Sequence, residues 1–185
     1  MALCVGLGIY FVSCGEVQLQ MRIHPLEYSE IVEREAQTYE IDPLLVYAVI
    51  KVESNFVADA VSHAGAMGLM QIMPDTYRWL AEKNGFTDVA QEDLLIPEIN
   101  IKYGCMFLSI LLQRYSQTAS AVAAYNAGLG NVDKWLEDSE IAPDGENLER
   151  IPFSETRHYT DRVLENYKLY QRLYPRVVSV EAVLQ

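Results

Sequence analysis

From Pro25 onward the apolar residues recur every three to four positions, and no stretch keeps the strict alternation of a half-buried strand. The pattern predicts an all-α chain. A first helix is expected over about 26–39, with Ile31, Glu35 and Thr38 giving it mixed faces. Asp42 and Pro43 then mark a second start, because aspartate caps free amides and proline suits the first helical position. On that helix Val46, Val49, Ile50 and Glu53 fall at i, i+3, i+4 and i+7, so they share a face. It is expected to end near Ser54 and Asn55. VSHAGAMGLMQIMPDT holds too many small and flexible residues for a helix until Pro74 and Asp75 open one, which Asn84 and Gly85 stop.

A long helix is predicted over 97–115, where Tyr103, Met106, Phe107, Ile110 and Leu111 make a broad apolar face fit for the spine of a core. SAVAAYN reads as a shorter helix running into AGLGN, whose glycines 128 and 130 allow a sharp exit. Polar, proline-bearing 138–152 reads as an exposed excursion. The last helix spans about 154–173 and carries Tyr159, Val163, Asn166 and Tyr170 on one side.

Length and composition narrow the picture. At 185 residues, half of them apolar, the chain suits one globular domain built around the long helix. Fourteen basic against twenty-six acidic residues give a formal charge of −12, which repels a phosphate backbone and argues against nucleic acid. Twelve tyrosines suit sugar surfaces as well as cores. Cys4, Cys14 and Cys105 form no CxxC pair and have no histidine at ligand spacing, so neither a disulfide framework, a metal nor another cofactor is expected. Cys105 reads as a small buried hydrophobe.

The opening MALCVGLGIYFVSC is apolar and uncharged, yet shorter than the roughly 20 residues that cross a bilayer and without a basic n-region. Two readings stand side by side: a remnant of a signal or membrane anchor, with Cys14 as a lipid-attachment position, or an unstructured start. The expected division is therefore 1–24 as an apolar N-terminal segment, 25–175 as the functional domain and 176–185 as a tail.

Glu53 is the candidate for chemistry. A carboxyl on an apolar helix face needs a partner, an accessible cleft or a raised pKa, since an ionised carboxylate is costly to remove from water. At a helix C-terminus the macrodipole also disfavours negative charge. A solvated glutamate at a helix end is the plainer reading of the residue taken alone.

Four stretches appear in order: VESNF at 52–56, GAMGLMQIMP at 65–74, AAYNAG at 123–128 and ETRHYTDRV at 155–163. Together they closely resemble the catalytic domain of bacterial lytic transglycosylases of the soluble type, relatives of goose-type lysozyme. The resemblance runs over roughly 25–174, with Leu129 standing where many relatives have proline. It implies a lysozyme-like fold and peptidoglycan glycan strands as substrate. It further implies cleavage between N-acetylmuramic acid and N-acetylglucosamine with closure of a 1,6-anhydro ring. Glu53 would be the catalytic residue, supported by Ser54 and by Tyr159, the latter orienting its carboxyl. Gln71 and Asn126 would hold polar sugar groups, and Met70 and Tyr125 would wall the cleft. Each has a structural alternative: loop backbone satisfaction for Gln71 and Asn126, core filling for Met70, interface packing for Tyr125.

An ordinary glycosidase needs a second carboxylate. The motifs offer none, since Asp59 and Asp75 sit where capping is the expected job. A single acid suffices if the substrate's own C6 hydroxyl attacks, with Glu53 acting as acid and then as base. Rival readings are a lysozyme-like hydrolase on the same fold and a wall-binding module without activity. Reaching the wall implies a place outside the cytoplasm, in the cell envelope and at the membrane, with the protein acting as a monomer.

Overall fold

The computed structural model describes residues 15–175. The apolar start with Cys4 and Cys14, and the tail 176–185, lie outside the described residues. Helix α1 covers 15–23, followed by α2 (Ser29–Thr38), α3 (Pro43–Glu53), α4 (Pro74–Lys83), a 3-10 turn (Gln91–Leu95), α5 (Pro97–Arg114), α6 (Thr118–Ala127), α7 (Leu129–Glu137) and α8 (Ser154–Leu173). Among the described residues there is no strand. The nearest approach is a pair of isolated bridges, Val61 to Met67 and Met67 to Ile72, inside the loop between α3 and α4.

Helix α3 starts as its sequence dictates. Asp42 Oδ1 accepts the Leu44 amide at 2.8 Å, and Pro43 occupies the first turn. The same carboxylate takes a 2.5 Å hydrogen bond from the Tyr167 hydroxyl through Oδ2, so one cap fastens α3 to α8. From Pro43 to Ile50 every residue is buried, because α2 and α8 both pack on this helix. Helix α5 is the spine, contacting α2, α4, α6 and the 3-10 turn. Its burial extends beyond the predicted face to Ile101, Cys105 and Leu108. Cys105 is a free, fully buried thiol whose pKa burial pushes up. Most tyrosines serve the core: Tyr47 stacks on Tyr170, and Tyr77 meets Tyr103 edge-on.

Three features differ from expectation. The first predicted helix is shorter, because Tyr28 takes a left-handed conformation with φ 61° and α2 begins after it. The exit at AGLGN is a corner between two helices: Gly128, at φ 84°, ends α6, and α7 starts at once. Residues 15–23 are helical, and the C-terminal end of that helix is clasped by the domain. Lys51 Nζ donates to Ile23 O at 2.6 Å and the Tyr174 hydroxyl to His24 O at 2.7 Å.

What shapes the loop from 54 to 73 is a buried amide. Asn100, fully buried on α5, accepts the Met70 amide at 2.7 Å and donates to Leu94 O at 2.7 Å and Met67 O at 2.8 Å. Gly68 lies against this amide at φ +77°, where a Cβ would fall 2.2 Å from Asn100 Nδ2. Gly104 makes room for the Met70 side chain, since a Cβ there would lie 2.2 Å from the sulfur. Exchanging Asn100 for alanine orphans the buried Met70 N–H and the Leu94 carbonyl at once, while Met67 O keeps the Ile72 amide at 3.0 Å. Urea unfolding of Asn100→Ala should show a loss on the order of 3 kcal/mol; a loss below about 1 kcal/mol would mean that something else anchors the loop.

Candidate active site

Glu53 closes α3, and one residue later the chain turns away. Asn55 and Phe56 take consecutive left-handed conformations, φ 51° and 66°, which end the helix sharply and leave the glutamate at its exit. The turn is held by Lys51 Nζ donating to Asn55 Oδ1 at 2.6 Å and by the Asn55 amide donating to Ile50 O at 3.1 Å.

The Glu53 carboxyl is half-buried, and Oε1 accepts a 2.7 Å hydrogen bond from the Tyr159 hydroxyl of α8. Loss of hydration pushes its pKa up from 4.5 to about 7, against the opposing pull of the Tyr159 hydrogen bond and the charge of Arg162. No acidic side chain among the described residues adds to that shift. Tyr159 is itself buried, and its pKa is held well above the usual range by burial and then by the Glu53 charge. Tyr125, whose ring packs on Phe107 at 5.2 Å, has its phenol raised for the same two leading reasons. A carboxyl near pKa 7 is populated in both protonation states at neutral pH, so it can give a proton and take one back.

The other residues singled out by sequence fall into place unevenly. Ser54 spends its hydroxyl on backbone: it donates to Leu69 O at 2.8 Å and, more weakly, to Ile50 O at 3.3 Å, pinning the 54–73 loop to the end of α3. Met70, expected to wall a cleft, is 0% exposed and packs against Gly104, so the core-filling alternative describes it. The methionine of this loop that reaches solvent is Met73, at 41% exposure. Tyr125 reaches across to the loop, its hydroxyl donating to Met70 O at 2.9 Å.

Gln71 sits at φ 48° and spends both amide protons on loop carbonyls, Ala60 O at 3.0 Å and Gly68 O at 2.8 Å. Its Oε1 accepts nothing from the described residues, so the side chain presents an acceptor. Asn126 is exposed on the last turn of α6, and its Oδ1 accepts a 2.8 Å hydrogen bond from the Thr156 hydroxyl.

Asn100, Arg162 and Thr156 escaped the sequence reading. For Asn100 a signal existed: it lies on the same stripe as Tyr103, Gly104, Phe107 and Leu111, a polar residue where the pattern demands an apolar one. No group of three or more potential metal ligands gathers among the described residues.

Comparison with known proteins finds relatives over most of the chain. The family profile described as the transglycosylase SLT domain matches residues 30–147. The soluble lytic murein transglycosylase of Escherichia coli K12 is 37% identical over 155 residues, covering 81% of this chain and 24% of that protein. The membrane-bound lytic murein transglycosylase C of Glaesserella parasuis is 28% identical over 190 residues, covering 91% of this chain and 52% of its own length. The chain thus spans about a quarter of the soluble relative and half of the membrane-bound one.

Among solved structures, the 70 kDa soluble lytic transglycosylase of E. coli superposes with a TM-score of 0.73 at 32% identity, over 83% of this chain and 25% of that one. Another, the lytic transglycosylase Slt of Pseudomonas aeruginosa solved as an inactive glutamate-to-glutamine mutant, gives 0.70 at 32% identity over 80% of this chain and 24% of that one. The all-α architecture therefore has the lysozyme-like fold of these enzymes.

The raised Glu53 pKa has a thermodynamic counterpart. Because the folded value, about 7, lies above the ordinary 4.5, the contribution of Glu53 to stability is complete below pH 4.5 and is lost as pH rises through 7. Glu53→Gln carries no such penalty. At pH 8 the variant should be more stable than the parent by on the order of 1–2 kcal/mol, after allowance for partial exposure, and the advantage should vanish at pH 4. Equal pH dependence of the two melting curves would show that the carboxyl is well hydrated.

Proposed function

The chain belongs to the transglycosylase SLT family, and on that premise we propose that it is a peptidoglycan lytic transglycosylase with Glu53 as its one catalytic acid and base. Its substrate is the glycan strand, cut between N-acetylmuramic acid and N-acetylglucosamine. The observation that carries the reading is the carboxyl at the α3 exit, driven to a pKa of about 7 and hydrogen-bonded by Tyr159.

A glycosidic oxygen is a poor leaving group until protonated, and protonated Glu53 supplies that proton. Cleavage leaves an oxocarbenium-like centre at C1 of the muramoyl sugar. Glu53, now ionised, takes the proton of the C6 hydroxyl as O6 bonds to C1, which closes the 1,6-anhydro ring and returns the acid to its starting state. No water is consumed, so the reaction is a lyase reaction. Two features favour it over hydrolysis: no acidic side chain among the described residues bears on Glu53, and similar proteins carry the name lytic murein transglycosylase.

Tyr159 orients the carboxyl and stabilises its ionised form. Gln71 presents an acceptor and Asn126 a donor to polar groups of the sugar, the acetamido arm among them, while Ser54 and Met70 hold the loop from below and Tyr125 links it to α6. The protein acts as a monomer in the cell envelope outside the cytoplasm, at the membrane. No helix among the described residues is long and apolar enough to cross a bilayer; the apolar start of the sequence is the proposed tether.

Mass spectrometry of peptidoglycan digested by the protein should show 1,6-anhydro-muramoyl ends and no new reducing ends. Reducing muramic acid as the product would assign a hydrolase instead. Glu53→Gln should lose cleavage by at least 10²–10⁴ while keeping its fold, since the amide is isosteric but donates no acidic proton; cleavage at the parent rate would remove Glu53 from its role.

A further inference from the structure

Asn126 and Gln71 carry the same functional group but are tied in opposite ways. Gln71 cannot turn, because Nε2 faces two carbonyl oxygens, and its exposed pole is the acceptor. Asn126 has only one tie, the Thr156 hydroxyl at Oδ1. A turned amide would donate to the threonine oxygen but leave its buried hydroxyl proton without an acceptor, since Asn126 Oδ1 is its one partner among the described residues. Thr156 is 2% exposed in the first turn of α8, so its own hydroxyl has no access to competing water. The neighbours of the two amides are joined as well, since Tyr125 beside Asn126 bonds the carbonyl of Met70 beside Gln71.

Resting on the function proposed above, we infer that Thr156 is a positioning residue, which holds the Asn126 amide with its NH₂ outward, so that the site offers this donor as well as the acceptor of Gln71. A secondary amide, such as the acetamido group of an amino sugar, carries one donor and one acceptor. It matches this pair, whereas a sugar with free hydroxyls alone gains no such complementarity. Thr156 thus contributes to selection of N-acetylated sugars without touching them.

Thr156→Val removes the hydroxyl and keeps the shape. Steady-state turnover of peptidoglycan should show kcat/KM falling about 5–10-fold, the worth of one hydrogen bond, with the loss in KM and little change in kcat or Tm. Thr156→Ser, which restores the hydroxyl, should return to within about twofold of the parent. In an Asn126→Ala background Thr156→Val should change kcat/KM by less than about twofold, because there is no amide left to position. Parent-like KM in Thr156→Val, or an undiminished further loss on top of Asn126→Ala, overturns the inference.

A second measurement separates it from the assignment of activity. In a Glu53→Gln background, titration with a chito-oligosaccharide should give a Kd weakened about 5–10-fold by Thr156→Val and restored by Thr156→Ser. A parent that fails to cleave peptidoglycan overturns the proposed function, while an unchanged Kd, or no binding in either background, overturns the role of Thr156.

Discussion

The structure turns on keeping one carboxyl short of water. Glu53 sits where α3, buried on all sides up to Ile50, runs out against α8, and the lost hydration is what raises its pKa to about 7. Such a group is a local liability that the surrounding packing must offset. The same pair of helices supplies the remedy. Their contact is extensive, is fastened at the far end of α3 by Asp42 and Tyr167, and at the near end delivers Tyr159 to the carboxylate at 2.7 Å. One hydrogen bond and the charge of Arg162 pull the titration back toward neutrality without abolishing the shift.

The second constraint is polar and lies beneath the loop from 54 to 73. Irregular backbone over a core must have its amides and carbonyls satisfied. Asn100 meets two of them from α5, along with Leu94 O of the 3-10 turn, Gln71 two more from within the loop, and Ser54 one from the end of α3. The close fit explains why glycines fall at 68 and 104, where side chains would collide with the Asn100 amide and the Met70 sulfur. It also explains why Met70 points inward: its amide and carbonyl are both held, by Asn100 and Tyr125, so the side chain has only the Gly104 recess to enter.

Periodicity made the helices legible. The α5 spine and the α8 face with Tyr159 and Val163 follow from spacing, and the Asp42-Pro43 start from capping chemistry. Helix α7 is hidden in the sequence, although Leu129, Val132, Trp135 and Leu136 carry a helical repeat toward the core, because glycines at 128 and 130 signal an ending as readily as a corner. Within the loop no period exists, so nothing in the order of residues could say that Met70 is enclosed while Met73 is open. Ser54 illustrates the same limit: the resemblance implies a supporting role beside Glu53, and only the folded loop reveals that its hydroxyl is spent on Leu69 O and Ile50 O. Thr156 gave no signal at all, since a threonine in the first turn of a helix is commonplace and only tertiary structure reveals the amide it meets.

That a lone carboxyl could serve both halves of a reaction follows from where its pKa lies. A second carboxylate nearby would raise Glu53 further, by like-charge repulsion, making it a willing acid but leaving little of the base form at neutral pH. A stronger positive neighbour would have the reverse effect. The groups that bear on Glu53 are a neutral hydroxyl at hydrogen-bond distance and a single guanidinium, and their combined pull is weaker than the desolvation they oppose. With the titration near 7, neither proton state is far above the other in free energy, since each unit of mismatch costs only about 1.4 kcal/mol. A site arranged in this way suits chemistry in which the proton given in the first step must be recovered in the second by the same oxygen atoms, without a partner base.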